Sequence, residues 1–225
     1  MPITLADLAA LPLFAGVDGR ALQEILPYIQ ERSYHPGQVL ALEGDPCRAV
    51  YLVARGLVRL RLLSSEGREY TLGYVGPGGH FDLAAALDAG VQRATADVLA
   101  ESRLLAIPCE RFAALMAEHP ALARAVAVAL AAEVRRLSDM LRDLALHTVR
   151  TRLARFLLAQ ADGRRGGAQT QPYWTQALIA ANVGTVRDVV GRTLRAFSEE
   201  GLIRRERGRM VVVNREALER EAKGD

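Results

Sequence analysis

Apolar positions change period twice along the chain. "TLADLAALPLF" and "DGRALQEILPYI" repeat with helical spacing. After them come "QVLALEG", "AVYLVARG", "LVRLRLL", "YTLGYVG", "ATADVLA" and "RLLAIP", short apolar or alternating runs cut by Gly and Pro at near-regular intervals. That pattern predicts an antiparallel sandwich or barrel. Gly37, Gly44, Gly56, Gly67 and Gly76 stand between runs, where a positive φ or a tight turn is expected.

From Glu110 the strand signals stop. Pro120 suits the first turn of a new helix, and "ALARAVAVALAAEVRRLSDMLRDLALH" follows without a breaker. Leu130, Val134, Leu137, Leu141 and Leu144 recur at intervals of 4, 3, 4 and 3, the seam of a coiled coil. The stripe is too narrow for a helix packed on its own domain, so a symmetric helix pair, and hence a homodimer, is expected.

After His147 the helical period resumes in "VRTRLARFLLAQA". "DGRRGGAQTQ" then reads as a loop and "PYW" as a short strand. Thr175 is placed to cap "QALIAA", and "NVG" interrupts the period just before "GTVRDVVGR". Two helices joined by a short Gly-containing turn make a helix-turn-helix. Ala180, Gly184 and Val190 supply its small crossing residue, its turn and its apolar anchor. "GLIRRERGRMVVVN" reads as a hairpin with Arg207, Gly208 and Arg209 at its tip, a basic wing. The predicted organisation is α+β: an antiparallel β domain over 1–110, a dimerisation helix over 111–147 and a winged helix-turn-helix over 148–225.

Charge sharpens this division. The 225 residues carry a net +3, with 9 basic and 13 acidic side chains in 1–110, 5 and 4 in 111–148, and 15 and 9 in 149–225. A polyanion would land on the carboxy-terminal third. At roughly 100° per residue, Arg187, Asp188, Gly191, Arg192 and Arg195 share one face of the second helix of the motif, opposite Val186, Val189, Val190, Thr193, Leu194 and Phe197. In a winged helix-turn-helix this helix enters the DNA major groove. Arg187 and Arg192 can fork onto guanine edges, and Asp188 can accept from a cytosine amino group. Thr175, Thr185, Arg195, Arg204, Arg205, Arg207 and Arg209 suit phosphates, where they position without reading sequence.

Half the residues are apolar, and no apolar run is long enough to span a bilayer. The amino terminus has no secretory signature, so the expected address is cytoplasmic. Cys47 and Cys109 lack the spacing of a zinc or iron–sulfur site and are expected to be buried or incidental thiols. No Ser/His/acid or Cys/His pairing, metal-spaced cluster or phosphate loop is visible, so an enzyme is not expected.

"PGQVLALEGDPCRAVYLVARGLVRL", with Gly37, Glu43, Gly44, Asp45, Tyr51 and Gly56, together with "IAANVGTVRDVVGRTLRAFSEEGLI", resembles the Crp/Fnr family of bacterial transcription regulators across nearly the whole chain. The resemblance implies a cyclic-nucleotide-binding-type β-roll, a dimerisation helix and a winged helix-turn-helix. It also implies dimers on palindromic operators and contact with RNA polymerase, most often as an activator. In relatives an Arg, an acidic residue and an Arg five positions after the first read a TGTGA-like half-site, and Arg187, Asp188 and Arg192 match those roles. Asp in place of the common Glu shortens the reach.

Members that bind cyclic AMP hold its ribose with a Glu after a Gly and its phosphate with an Arg-Ser pair. Here those positions become Asp82 and Leu83, then Gln92 and Arg93, within "GPGGHFDLAAALDAGVQRATADV". Leu cannot bond a ribose hydroxyl and Asp repels phosphate, so the effector is expected not to be cyclic AMP. A one-residue shift would bring Arg93 to an anion, and Ser138 matches a helix position that touches the base. Haem is the other cofactor some members carry. Among His35, His80, His119 and His147, His80 and His147 are placed for axial ligation, without an attachment motif. A ligand-binding regulatory module for a protein partner is the competing function.

Overall fold

A computed structural model describes residues 3–162, 174–206 and 209–224. Two compact units account for the chain: Met1–Leu62 with Gly73–Arg136, and Leu63–Leu72 with Leu137–Asp225.

The first unit opens with α1 (Leu5–Ala9) and α2 (Gly19–Ile25), each short and each capped by its own sequence. The Thr4 hydroxyl accepts from the Asp7 N–H at 3.2 Å while the Asp7 carboxylate accepts from the Thr4 N–H at 3.0 Å, a reciprocal capping box. Asp18 accepts from the N–H groups of Arg20 and Ala21, both at 2.9 Å. Such caps let helices of one or two turns persist.

The sheet consists of β1 (Gln30–Tyr34), β2 (Val39–Ala41), β3 (Ala49–Leu63), β4 (Glu69–Val75), β5 (His80–Phe81) and β6 (Thr95–Pro108). Its order is β1-β6-β3-β4, with β2 also on β6 and β5 also on β3. α3 (Leu83–Leu87) interrupts the strands between β5 and β6. α4 (Cys109–Glu118) and the long α5 (Pro120–Leu146) follow. One core joins Leu8, Phe14, Leu22 and Ile25 to Val50, Leu52, Phe112, Leu115, Leu122 and Val126. A second fills the sheet's other face with Tyr51, Val58, Phe81, Ala96 and Leu104.

Two predicted runs on either side of Gly56 prove to be the single strand β3, and the two last runs are the single strand β6. Gly56 punctuates the register rather than the strand. Its φ is +100°, and a Cβ there would lie 2.1 Å from the Ser102 hydroxyl on β6. That hydroxyl accepts from the Leu57 N–H at 3.1 Å and donates to the Ala100 carbonyl at 2.7 Å, so it occupies the space the missing side chain leaves. Nearby, Asp97 is buried on β6 between Arg59 and Arg61 of β3, at 3.0 Å from each. The cysteines also differ from expectation: Cys47 and Cys109 are joined in a disulfide across 62 residues of sequence, with their Cα atoms 6.3 Å apart. A fold that brings the loop before β3 beside the start of α4 makes a pair that spacing alone does not reveal.

In the second unit, α6 (Val149–Ala161), α7 (Gln176–Val183), α8 (Arg187–Glu199), the hairpin β7 (Ile203–Glu206) and β8 (Arg209–Val212), and α9 (Arg215–Lys223) surround one core. That core holds Leu153, Phe156, Leu157, Ile179, Val190, Leu194, Phe197, Leu202 and Leu218. The hairpin register runs from Ile203 opposite Val212 to Glu206 opposite Arg209. The predicted loop from Gly163 and the strand positions Pro172 and Tyr173 lie outside the described residues; Trp174 is not in a strand.

Candidate nucleic-acid interface

The helix pair α7–α8 is built by local rules. Thr175 caps α7, its hydroxyl accepting from the Leu178 N–H at 3.1 Å. Gly184 ends α7 in the left-handed region at φ +68°, and its N–H returns to the Ala180 carbonyl. The turn is crowded as well as left-handed: a Cβ on Gly184 would stand 2.5 Å from Leu144 Cδ2 and 3.2 Å from Tyr70 Cε2. Ala180 and Val190 are buried where the two helices cross.

α8 then divides its faces. Val190, Leu194 and Phe197 point into the core. Arg187, Asp188 and Arg192 are exposed and have no hydrogen-bonding or ionic partner among the described residues. Asp188 lies in the first turn, where the helix dipole favours a carboxylate. Arg195 is exposed and donates to the Gly191 carbonyl at 3.3 Å. Thr185 is half-buried in the turn. Arg204 and Arg205 are exposed on β7, and Arg204 is paired with Glu206. Arg207 and Gly208 lie outside the described residues, as does the side chain of Arg209.

Other basic side chains of this unit are paired within it, and no periodicity distinguished them. Arg150 bridges Glu221, at 2.6 Å, and Glu200, while its guanidinium lies 4.7 Å from the centre of the Phe197 ring. The hydrogen bond from Arg150 holds the Glu221 carboxyl below its usual range. Arg155 pairs with Asp143 and donates to the Ala222 carbonyl at 2.6 Å. Arg152 donates to the carbonyls of Val183 at 2.7 Å, His147 at 2.6 Å and Gly184 at 3.2 Å. Arg215 pairs with Asp162 and Glu219, each at 2.8 Å. Among the described residues much of the positive charge is therefore structural, while Arg187 and Arg192 on α8 keep their guanidinium groups without an ionic partner. The missed signal was the interval of two or three residues between Arg150, Arg152 and Arg155 on a helix whose apolar positions fill the core.

The positions of the predicted seam lie on α5. Val134, Leu137, Leu141 and Leu144 are 63, 40, 67 and 37% exposed, and Leu130 is partly buried against the first unit's core. The helix ends at Leu146, and Thr148 caps α6 by accepting from the Thr151 N–H at 3.2 Å. The break falls at His147, after which the helical period is expected to resume.

The effector segment holds its residues unequally. Asp82 precedes α3 at φ +70° without a side-chain capping bond, and burial raises its carboxyl to about 7 against an opposing hydrogen bond from Gln92. Gln92 is buried, and Asp82 Oδ2 and Gln92 Oε1 are both buried without partners. Leu83 belongs to the first core, Arg93 is exposed, and Ser138 is exposed on α5. The pair brought together, Asp82 and Gln92, offers acceptors where a cyclic nucleotide's phosphate needs donors. That phosphate does not fit these residues.

Haem ligation fares no better at His147, whose two ring nitrogens face the Arg155 guanidinium at 3.1 and 3.2 Å. His80 is largely buried on β5, and burial lowers its pKa against an opposing effect of Glu133. His35 lies 2.9 Å from Glu101, whose hydrogen bond raises its pKa, and His119 lies 3.5 Å from Glu24.

Comparison with known proteins adds a second line. The cyclic nucleotide-binding domain family matches residues 31–119, and the Crp-like helix-turn-helix domain family matches 151–221. The cyclic AMP receptor protein of Thermus thermophilus is 35% identical over 213 residues, covering 95% of this chain and 97% of its own. A CRP-like cAMP-activated global transcriptional regulator of Mycobacterium tuberculosis is 29% identical, with 96% and 98% covered. The crystal structure of a Thermus thermophilus catabolite activator protein superposes with a TM-score of 0.55 at 33% identity, covering 95% of this chain and 99% of that one. No single helix among the described residues is long and apolar enough to cross a membrane.

Proposed function

The chain belongs to the Crp/Fnr family of DNA-binding transcription regulators, and from that premise we propose that it binds a palindromic operator as a homodimer and activates transcription through contact with RNA polymerase. The observation that carries base readout is the exposed, unpartnered trio Arg187, Asp188 and Arg192 on the outer face of α8, in a unit whose other arginines are largely paired. Two arginine forks with a carboxylate between them match guanine and cytosine edges, and each well-placed bidentate contact contributes about 1–3 kcal/mol of discrimination. Arg195, Arg204 and Arg205, with Arg207 and Arg209, add phosphate contacts, as do the hydroxyls of Thr175 and Thr185. The α5 seam supports the dimer: Val134, Leu137, Leu141 and Leu144 are apolar at heptad spacing and solvent-exposed in the single chain.

The effector is a molecule other than cyclic AMP. Gln92 brings an unpartnered acceptor to the phosphate position and Leu83 no polar group to the ribose position, which favours a neutral or donor-bearing ligand. The signal reaches DNA by changing how the α5 helices seat and hence the spacing of the two α8 helices, about the break at His147–Val149.

The test is a gel shift on palindromes whose half-site centres lie about one helical turn apart, with the parent, Arg187→Ala and Arg215→Ala proteins. Loss confined to Arg187→Ala supports base readout. Equal loss from both variants means a generic basic surface and removes the proposal, because Arg215 is held by Asp162 and Glu219 on α9.

A further inference from the structure

The two cysteines of the chain are bonded to each other, and neither is used by the DNA-binding surface. Cys47 lies in the loop before β3 and is partly exposed; Cys109 is the first residue of α4 and is 9% exposed. The Cys109 N–H donates to the Arg48 carbonyl at 3.2 Å, so the backbone already holds the two ends together. Loops 42–48 and 88–92 are hydrogen-bonded as well. Gly44 N–H donates to the Gln92 carbonyl at 2.9 Å, Gln92 N–H to the Asp45 carbonyl at 2.7 Å, and Cys47 N–H to the Gly90 carbonyl at 3.3 Å. Pro46 bridges Val91. The cross-link therefore ends on a loop that supports Gln92, the residue whose amide meets Asp82.

A protein that works on chromosomal DNA meets thiol pools that keep cysteines reduced, and disulfides formed there are mostly transient, catalytic or redox-sensing. This step rests on the DNA-binding function proposed above. We propose that Cys47 and Cys109 form a reversible thiol–disulfide site whose substrate is a small disulfide of the glutathione type, and whose state sets how firmly the 88–92 turn holds Gln92 against Asp82. The Cys47 thiolate attacks one sulfur of the incoming disulfide, forming a mixed disulfide and expelling one thiolate. The Cys109 thiolate then attacks the Cys47 sulfur, closing the bond and expelling the second. The protons lost by the two cysteines pass to the two departing thiolates. Two cysteine thiols are oxidised and one external disulfide is reduced.

The experiment uses the full chain, reduced with dithiothreitol and then equilibrated anaerobically in buffers of graded reduced-to-oxidised glutathione. Free thiols are trapped with N-ethylmaleimide and counted by intact mass, and amide hydrogen exchange is followed at 88–92. The expected result is two labels in reducing buffer and none in oxidising buffer, with exchange at 88–92 slower by about tenfold in the oxidised form. Cys47→Ser and Cys109→Ser should each erase that difference. Three results overturn the proposal: a bond that survives excess dithiothreitol without unfolding, a pair that never closes at any glutathione ratio, or exchange at 88–92 that is the same in both states. Thiol counting needs no DNA, so its failure is separable from failure of the operator assay.

Discussion

Arg152 Nε donates to the carbonyl of Val183 at 2.7 Å, and the same guanidinium donates to His147 at 2.6 Å. One cation on α6 thus satisfies the carboxy-terminal carbonyls of α7 and the carbonyl just past the end of α5. Helix ends leave such carbonyls without partners and carry partial negative charge, so a fork placed between two of them stabilises both.

Arg152→Met should lower the stability of the DNA-binding unit by about 2 kcal/mol, the loss of hydrogen bonds to a charged donor. Chemical denaturation followed by the fluorescence of Trp174, the single tryptophan, reads this unit directly, because the indole packs edge-on against Phe156 at 4.9 Å in its core. Arg152→Lys should recover only part, since one ammonium cannot fork across carbonyls on two helix ends. Full recovery by Lys would refute the fork argument.

Gly184→Ala should be worse than an ordinary turn substitution. The left-handed φ costs an alanine about 1 kcal/mol, and the new methyl must displace Leu144 Cδ2, 2.5 Å away. A destabilisation of about 2–3 kcal/mol is expected on the same fluorescence transition, together with loss of operator binding. A neutral result would mean that the turn relaxes away from Leu144 and Tyr70 at no cost.

Asp82 makes stability depend on pH in the direction opposite to a salt-bridged acid. Its carboxyl is raised from 3.8 to about 7 by burial, so across that interval the folded chain keeps a proton that the unfolded chain has released. The contribution is complete below about pH 4 and is lost as pH rises through about 7. Asp82→Asn, which tolerates the left-handed φ, should match the parent near pH 3.5 and melt at a higher temperature near pH 8.5 in scanning calorimetry. Parallel curves at both pH values would show that the carboxyl is solvated.

Leu141→Asp tests the seam. Leu141 is 67% exposed in the single chain, so the substitution spares the fold while placing a charge in the middle of a helix pair. Sedimentation equilibrium should show dimer association weakened by about a hundredfold, with each unit still folded. An unchanged dimer would place the interface elsewhere.

The helix-turn-helix was legible because its determinants are local: Gly184 has to be left-handed, Ala180 has to be small, and both act within a few residues of themselves. The long helix followed from periodicity for the same reason. The break predicted at Gly56 was misplaced, since what the glycine accommodates is the Ser102 hydroxyl, supplied by a strand 46 positions away. The disulfide and the paired arginines escaped notice in the same way. Cys47 finds its partner 62 residues on, and Arg150 finds Glu221 at an interval of 71. Pairings of that length follow from topology, which composition and period do not contain.

The separation between gripped and ungripped arginines bears on how such a protein diversifies. Arg150, Arg152, Arg155 and Arg215 are committed to the scaffold, whereas the side chains of Arg187, Asp188 and Arg192 make no hydrogen bond or ion pair among the described residues. Exchanges at the latter three exposed positions break no hydrogen bond or ion pair of the scaffold, so a duplicated gene can drift toward a new target without first acquiring compensating mutations. Selection on what the helix face meets and selection on whether the chain folds act on different residues, and lineages can explore the one while the other stays fixed.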